Sequence, residues 1–285
     1  MVGLSLRIDV LSEKAWDSTH QKLLDDFSGL DGLLTAVKNS GVDSVELRVL
    51  FANQDPVAAL RIAEKIWAHG MEITVHGTME SEETAVEDVL NPVSEILKNL
   101  KQDKLNITIH AVKNKEFPDV ETSPIPTINA LKNIAEAIKD LPVVIALENN
   151  RKKKDDDPGN CTEKVLEIVK AVNNEKIKTC WDMGHHYYNC KAFTDDEFAL
   201  PSEEFLERVV HTHIHGLVDG KTHFDLDETN LPIEKYLKAM NKNFSGVYNL
   251  ELTPNFWAEY KDVYGGFESS IKTLISAKCK TQSAK

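Results

Sequence analysis

Cysteine is scarce: the 285-residue chain has four, Cys161, Cys180, Cys190 and Cys279. Their spacing forms no CxxC metal pattern and no dense disulfide framework. No segment approaches the roughly 20 apolar residues of a membrane span. No long apolar stretch follows Met1 to mark a secretory signal. A reducing cytosol is therefore the expected compartment, with no membrane partner. Basic charge is also short, with 33 Lys and Arg against 46 Asp and Glu and a net charge of −13. Such a surface repels phosphate backbones, so nucleic acid is not an expected partner. The one basic run, Arg151 to Lys154, is cancelled at once by Asp155 to Asp157 and reads as a solvated loop. There is no Gly-rich phosphate turn of the dinucleotide-binding kind.

What is present is a rhythm. Short β-branched runs alternate with amphipathic helical runs, the pattern of a parallel sheet. The spacing predicts strands over Leu4–Val10, Val45–Phe51, Glu72–His76, Leu105–Val112, Val143–Glu148, Ile177–Asp182, Val209–His215 and Val247–Glu251. It predicts helices over Asp31–Asn39, Pro56–His69, Val86–Leu100, Ile125–Lys139, Thr162–Val172, Ser202–Glu207, Pro232–Met240 and Phe267–Ala277. Gly41 and Gly70 follow two of these helices, where a left-handed cap is wanted. Eight strands and eight helices in strict order point to α/β architecture, a single (β/α)₈ TIM barrel. Residues 1–278 form that domain and 279–285 a polar C-terminal tail.

Alternate strand residues share a face. Ala146 and Glu148 point one way together, as do Cys180 with Asp182, Asn249 with Glu251, and His211 with His213 and His215. Each charged or imidazole group lies near the C-terminal end of its strand, where barrels keep their active sites. Of ten histidines, eight fall at or just past such ends: His76, His110, His185, His186, His211, His213, His215 and His223. Carboxylates converging in a barrel mouth would repel one another and lose hydration. A divalent cation removes both costs. Two Glu, one Asp and one His make an oxygen-rich donor set that suits Mn, Mg or Co, with Zn also accommodated.

At these residues the chain resembles the xylose isomerase-like TIM barrel superfamily of sugar isomerases, epimerases and related abasic-site endonucleases. The likeness is carried by Ser40-Gly41-Val42-Asp43-Ser44-Val45-Glu46-Leu47, Leu147-Glu148-Asn149, Asp182-Met183-Gly184-His185, His211-Thr212-His213-Ile214-His215 and Leu250-Glu251. By that resemblance the metal ligands are Glu148, Asp182, His213 and Glu251, with His211 the alternative to His213. His185 stands behind the metal or against substrate. His76, His110 and His223 match positions that hold further zinc in the endonuclease branch. Lys221 replaces an aspartate expected two residues before His223.

The resemblance implies proton transfer beside a metal-polarised carbonyl, with Glu148 and Glu251 as base and acid and His185 steadying the oxyanion. Glu46, His76, His110, His215 and Trp257 are the expected substrate contacts. Glu46 reads almost equally as a barrel-end polar residue, and Trp257 as a packed loop aromatic. The substrate would be sugar-like, neutral in preference to phosphorylated. The alternatives are a phosphoesterase using two or more metal ions and a non-catalytic metabolite-binding barrel. Self-association as a homo-oligomer is left open.

Overall fold

The computed structural model describes residues 1–112, 123–152, 158–227, 229–240 and 244–283. The basic run and the aspartates after it lie mostly outside these residues. Eight parallel strands close into a barrel: β1 (Val2–Arg7), β2 (Ser44–Leu50), β3 (Glu72–Gly77), β4 (Leu105–Ile109), β5 (Val143–Glu148), β6 (Ile177–Asp182), β7 (Val209–Ile214) and β10 (Val247–Leu250). They neighbour one another in that order, and β10 returns to β1. An antiparallel pair, β8 (Gly216–Val218) and β9 (Lys221–Phe224), stands apart from the barrel just past β7.

Each strand feeds a helix on the outer ring. The main ones are α3 (Leu30–Asn39), α4 (Pro56–Ala68), α7 (Ile125–Ala137), α8 (Thr162–Val172), α11 (Ile233–Ala239) and α12 (Val263–Ser283). The outward-facing strand residues, among them Leu4, Val45, Leu47, Ile73, Ile107, Ile145, Leu147, Trp181 and Ile214, are fully buried against this ring. Local signals explain the helix ends. Asp55 accepts from Val57 N–H and Pro56 opens α4, while Gly41 (φ 96°) and Gly70 (φ 69°) take left-handed backbone after α3 and α4.

The elements differ from expectation at several places. The first strand stops at Arg7, and Ile8–Leu11 turns into a short helix, α1. A further helix, α2 (Ser18–Asp26), precedes α3. The helix expected over Val86–Leu100 is two short ones, α5 (Ala85–Leu90) and α6 (Ser94–Lys98), broken around Pro92, which has no N–H to continue the ladder. An extra helix, α9 (Met183–Phe193), starts directly off β6 ahead of α10 (Glu203–Glu207). The last helix continues through Ser283, so residues 279–283 of the expected polar tail are helical. None of the helices among the described residues is long and apolar enough to cross a membrane.

Candidate metal centre

The barrel interior is polar towards its C-terminal mouth, where branched apolar layers are the norm. Three carboxylates, Glu148, Asp182 and Glu251, and the histidines 76, 185, 211, 213 and 215 are all buried there. Register explains the meeting. His213 sits level with Asp182 on β6 and with Asn249 on β10, two residues short of Glu251.

His213 is the hub. Its Nδ1 lies 3.2 Å from Glu148 Oε1 and 3.2 Å from Glu251 Oε2. A second triangle shares Glu148: the Nε2 atoms of His76 and His110 are each 3.2 Å from Glu148 Oε2 and 3.2 Å from one another. Around an ion bound at about 2.0 Å in a tetrahedral shell, donor atoms stand roughly 3.3 Å apart, so both groups have the span of a ligand set. A third group gathers around Asp182, with His185 Nδ1 at 3.1 Å, His215 Nε2 at 3.1 Å, and His223 stacked on His215. His185 Nδ1 joins this group to Glu148 Oε1 at 3.7 Å.

Several of the buried polar atoms without a hydrogen bond meet here. Glu148 Oε1 and Oε2, His185 Nδ1 and His213 Nδ1 are buried and make no hydrogen bond among the described residues. Orphaned polar atoms of this kind are expensive unless something else coordinates them. A cation bound among them satisfies all four, so the donor set fits the group the resemblance implies.

The electrostatics agree. Burial alone would raise the Glu148 carboxyl, but His213 and His110 hold it well below the ordinary carboxylate range. Glu251 is likewise held low by Arg48 and His213 against its burial. Burial pushes His185 down to about 3 and, with His215 beside it, His223 down to about 4. Ionised carboxylates and neutral imidazoles are the forms that bind metal. His213 and His76 go the other way. Burial opposes the charge, but Glu46 and Glu148 around His213, and Glu148 beside His76, raise both. Without a cation, protons on these rings offset the carboxylates.

Of the four expected ligands, Glu148, His213 and Glu251 converge directly. Asp182 is turned one group over, towards His185 and His215, and it also caps α9 by accepting His185 N–H at 2.6 Å. Asn149 ties the two centres together. It accepts Asp182 N–H and donates to Asp182 C=O, both at 2.9 Å. His76 and His110 border Glu148, and His110 is the more open of the two.

Three expected substrate contacts are placed elsewhere. Glu46 is completely buried beneath the hub, bonded to Ser5, Asn249, His211 and His213. His215 is also fully buried; its Nδ1 accepts the His223 N–H at 3.0 Å, leaving Nε2 for Asp182. Trp257 is in the core, edge-on to Phe267, with its Nε1–H donating to Val263 C=O at 3.4 Å.

Sequence reasoning missed Arg48. Its Nε lies 2.7 Å from Glu251 Oε1, and its Nη1 donates to Leu252 C=O at 3.2 Å. The signal was present, since Arg48 shares a strand face with Glu46 two residues earlier. Arg48 also borders a cavity of about 290 Å³ at the mouth, with Arg7, Asp9, Trp16, His20 and Leu252 on its walls. Trp16 and Phe51 beside it are exposed.

A family model described as xylose isomerase-like TIM barrel matches residues 34–263. An uncharacterized protein of Methanocaldococcus jannaschii, MJ1188, is 44% identical over 55 residues, which is 18% of this chain and 20% of that protein. The chain thus matches about a fifth of the length of this relative. Among solved structures, an L-ribulose 3-epimerase superposes with TM-score 0.69 at 14% identity over 100% of this chain and 97% of that one. A D-psicose 3-epimerase with D-tagatose from Clostridium cellulolyticum H10 gives 0.62 at 12% over 98% of each. An IOLI protein with a binding zinc atom gives 0.62 at 15% over 98% and 97%. At these identities the likeness carries the fold.

Proposed function

Because the chain belongs to the xylose isomerase-like TIM barrel family, we propose that it is a divalent-metal-dependent sugar isomerase or epimerase, working by proton transfer beside a carbonyl. The observation that carries this is the pair of 3.2 Å approaches of Glu148 and Glu251 to one atom, His213 Nδ1. Two carboxylates from β5 and from the end of β10 flank a single point. A substrate carbon held beside that point would have a carboxylate on either side, so that one takes its proton and the other, once it has picked up a proton from solvent, returns one, which is what moving a hydrogen between or across carbons requires. Sugar-epimerase neighbours of the same fold support the reading.

The residues divide the work unequally. Glu148 is held ionised by His213 and His110, which leaves its carboxylate ready to take a proton at neutral pH. Glu251 has one oxygen tied to Arg48, which fixes its direction and leaves Oε2 towards the centre. His185, neutral and beside Glu148, is placed to donate to a developing oxyanion. A bound cation would be held by Glu148, His213 and Glu251, with Asp182 reached through its neighbours, and would polarise the carbonyl. The cavity beside Arg48 would take the remainder of the substrate, with Trp16 offering an apolar face. In heavy water, a panel of ketoses should show deuterium entering beside the carbonyl, with neutral sugars exchanging better than phosphorylated ones. Absence of exchange across the panel refutes the reading.

One observation favours a second reading, a metal-dependent phosphoesterase. The triangle of His76, His110 and Glu148 has the edges of a separate ligand set, and Asp182, His185, His215 and His223 form another group. Hydrolysis by a water bridging two ions uses such an arrangement. Cleavage of a phosphodiester that is lost in His76→Ala, without ketose exchange, selects it.

A further inference from the structure

We infer that Glu46 is a positioning residue: from one layer beneath the mouth it holds His213 by Nε2, so that Nδ1 alone is presented to Glu148 and Glu251. This rests on the reading of that point as a cation site.

The geometry around Glu46 is complete. Its Oε2 accepts from His213 Nε2 at 3.0 Å and from His211 Nε2 at 3.0 Å. Its Oε1 accepts from the Ser5 hydroxyl and from Asn249 Nδ2 at 3.0 Å. The Ser5 proton has no competing use there, because Ser5 Oγ itself accepts from Asn249 Nδ2 at 2.8 Å. Four donors from β1, β7 and β10 therefore meet one carboxylate on β2, and only the ionised form accepts them all. Burial opposes that charge, and the two imidazoles hold the carboxyl low against it. Glu46, His211 and His213 are fully buried, so each bond is strong and a lost partner has no bulk solvent beside it.

This arrangement settles which nitrogen of His213 faces the glutamates. With a hydrogen on Nε2 pinned to Glu46, the Nδ1 lone pair is the only one His213 can give to a metal. A carboxylate behind a ligating imidazole fixes its tautomer, aims its ring and raises its basicity. His211 uses the same oxygen and leaves its own Nδ1 buried without a partner. It fills the second acceptor site on Glu46 Oε2 and keeps Glu46 from turning. Glutamine cannot substitute. Either way round, its NH₂ would face two donors where the carboxylate had an acceptor.

The test uses the full chain, stripped of metal and titrated with zinc against a chromophoric chelator, with ¹⁵N-labelled histidine. In the wild type the zinc-bound form should show a slowly exchanging proton on His213 Nε2. Glu46→Gln should lose that signal and bind zinc about 10- to 100-fold more weakly. Glu46→Asp should fall between. If Glu46→Gln does not fold, Ser5→Ala serves, removing one donor from the far oxygen while leaving both Glu46 and His213. It should weaken zinc several-fold and shift the same proton. Wild-type zinc affinity and an unchanged Nε2 proton in the folded variant overturn the role of Glu46 alone. A wild-type chain that binds no zinc overturns the cation reading as well, so the two failures are distinct.

Discussion

Arg48 Nε rests 2.7 Å from Glu251 Oε1, linking β2 to the end of β10 across the seam where the barrel closes. Both groups are largely buried, so the pair is more than a surface contact. Removing one partner of a buried pair leaves the other charge uncompensated, at a cost of about 3 kcal/mol. Arg48→Met should lower stability at pH 7 by roughly that amount. Glu251 has its folded pKa depressed. Its contribution is therefore present above the unfolded carboxylate pKa and lost as pH falls through the lower folded value. The gap between wild type and Arg48→Met should close in strong acid. Denaturant titrations at pH 7 and in acid check this, and a gap independent of pH contradicts it.

Metal binding should release protons at neutral pH. His213 and His76 have raised folded pKa values, so without metal they carry protons that a cation must displace. The sign follows: lower pH favours the protonated rings and weakens binding, while higher pH strengthens it. Calorimetric titration with zinc in buffers of differing ionisation enthalpy should give a positive proton count that shrinks as pH rises. A count of zero at pH 7 would mean these rings are not displaced.

Two glycines should respond differently to alanine. At Gly184 an added Cβ would stand 2.1 Å from the His215 ring, which is itself fixed between Asp182 and the His223 backbone. Gly184→Ala should cost about 2 kcal/mol or more by forcing that ring aside. Gly70 faces open space with φ 69°, so Gly70→Ala should lose only about 1 kcal/mol, from backbone strain. Melting curves decide, and equal losses would contradict the crowding argument.

Base and acid variants should be slow. In the proposed proton transfer, Glu148→Gln and Glu251→Gln should each reduce deuterium exchange into a responsive ketose by about 10²- to 10⁴-fold. NMR of the substrate in heavy water reads this directly. Full activity in either variant removes that residue from the chemistry.

The barrel was legible because its signals are repeated. The eight apolar runs and the caps at Gly41, Gly70 and Pro56 each state the same period, and the structure follows it. The face of each polar residue was legible from alternation, which put Glu148, Asp182, Glu251 and the three histidines of β7 at the mouth, while the choice of His213 among those three came from the resemblance. Depth was not. Glu46 shares its face with Arg48 but lies one layer lower, where neighbouring strands supply donors, and stagger between strands is a tertiary property. Helix α9 escaped because Met183, Gly184, His185, His186, Tyr187, Asn189 and Cys190 are all buried, so no polar stripe marks it. Trp257 lies beyond the last strand, where no periodicity says whether an aromatic ring turns inward.

The central claim is that the facing atoms of Glu148, His213 and Glu251 surround a cation. Crystals of the protein reconstituted with manganese, cobalt or zinc, measured on both sides of the metal's absorption edge, test it most directly. The account predicts an anomalous peak bounded by His213 Nδ1, Glu148 and Glu251, lost in His213→Ala and kept in His69→Ala. A wild-type map without an anomalous peak in this cluster would contradict it.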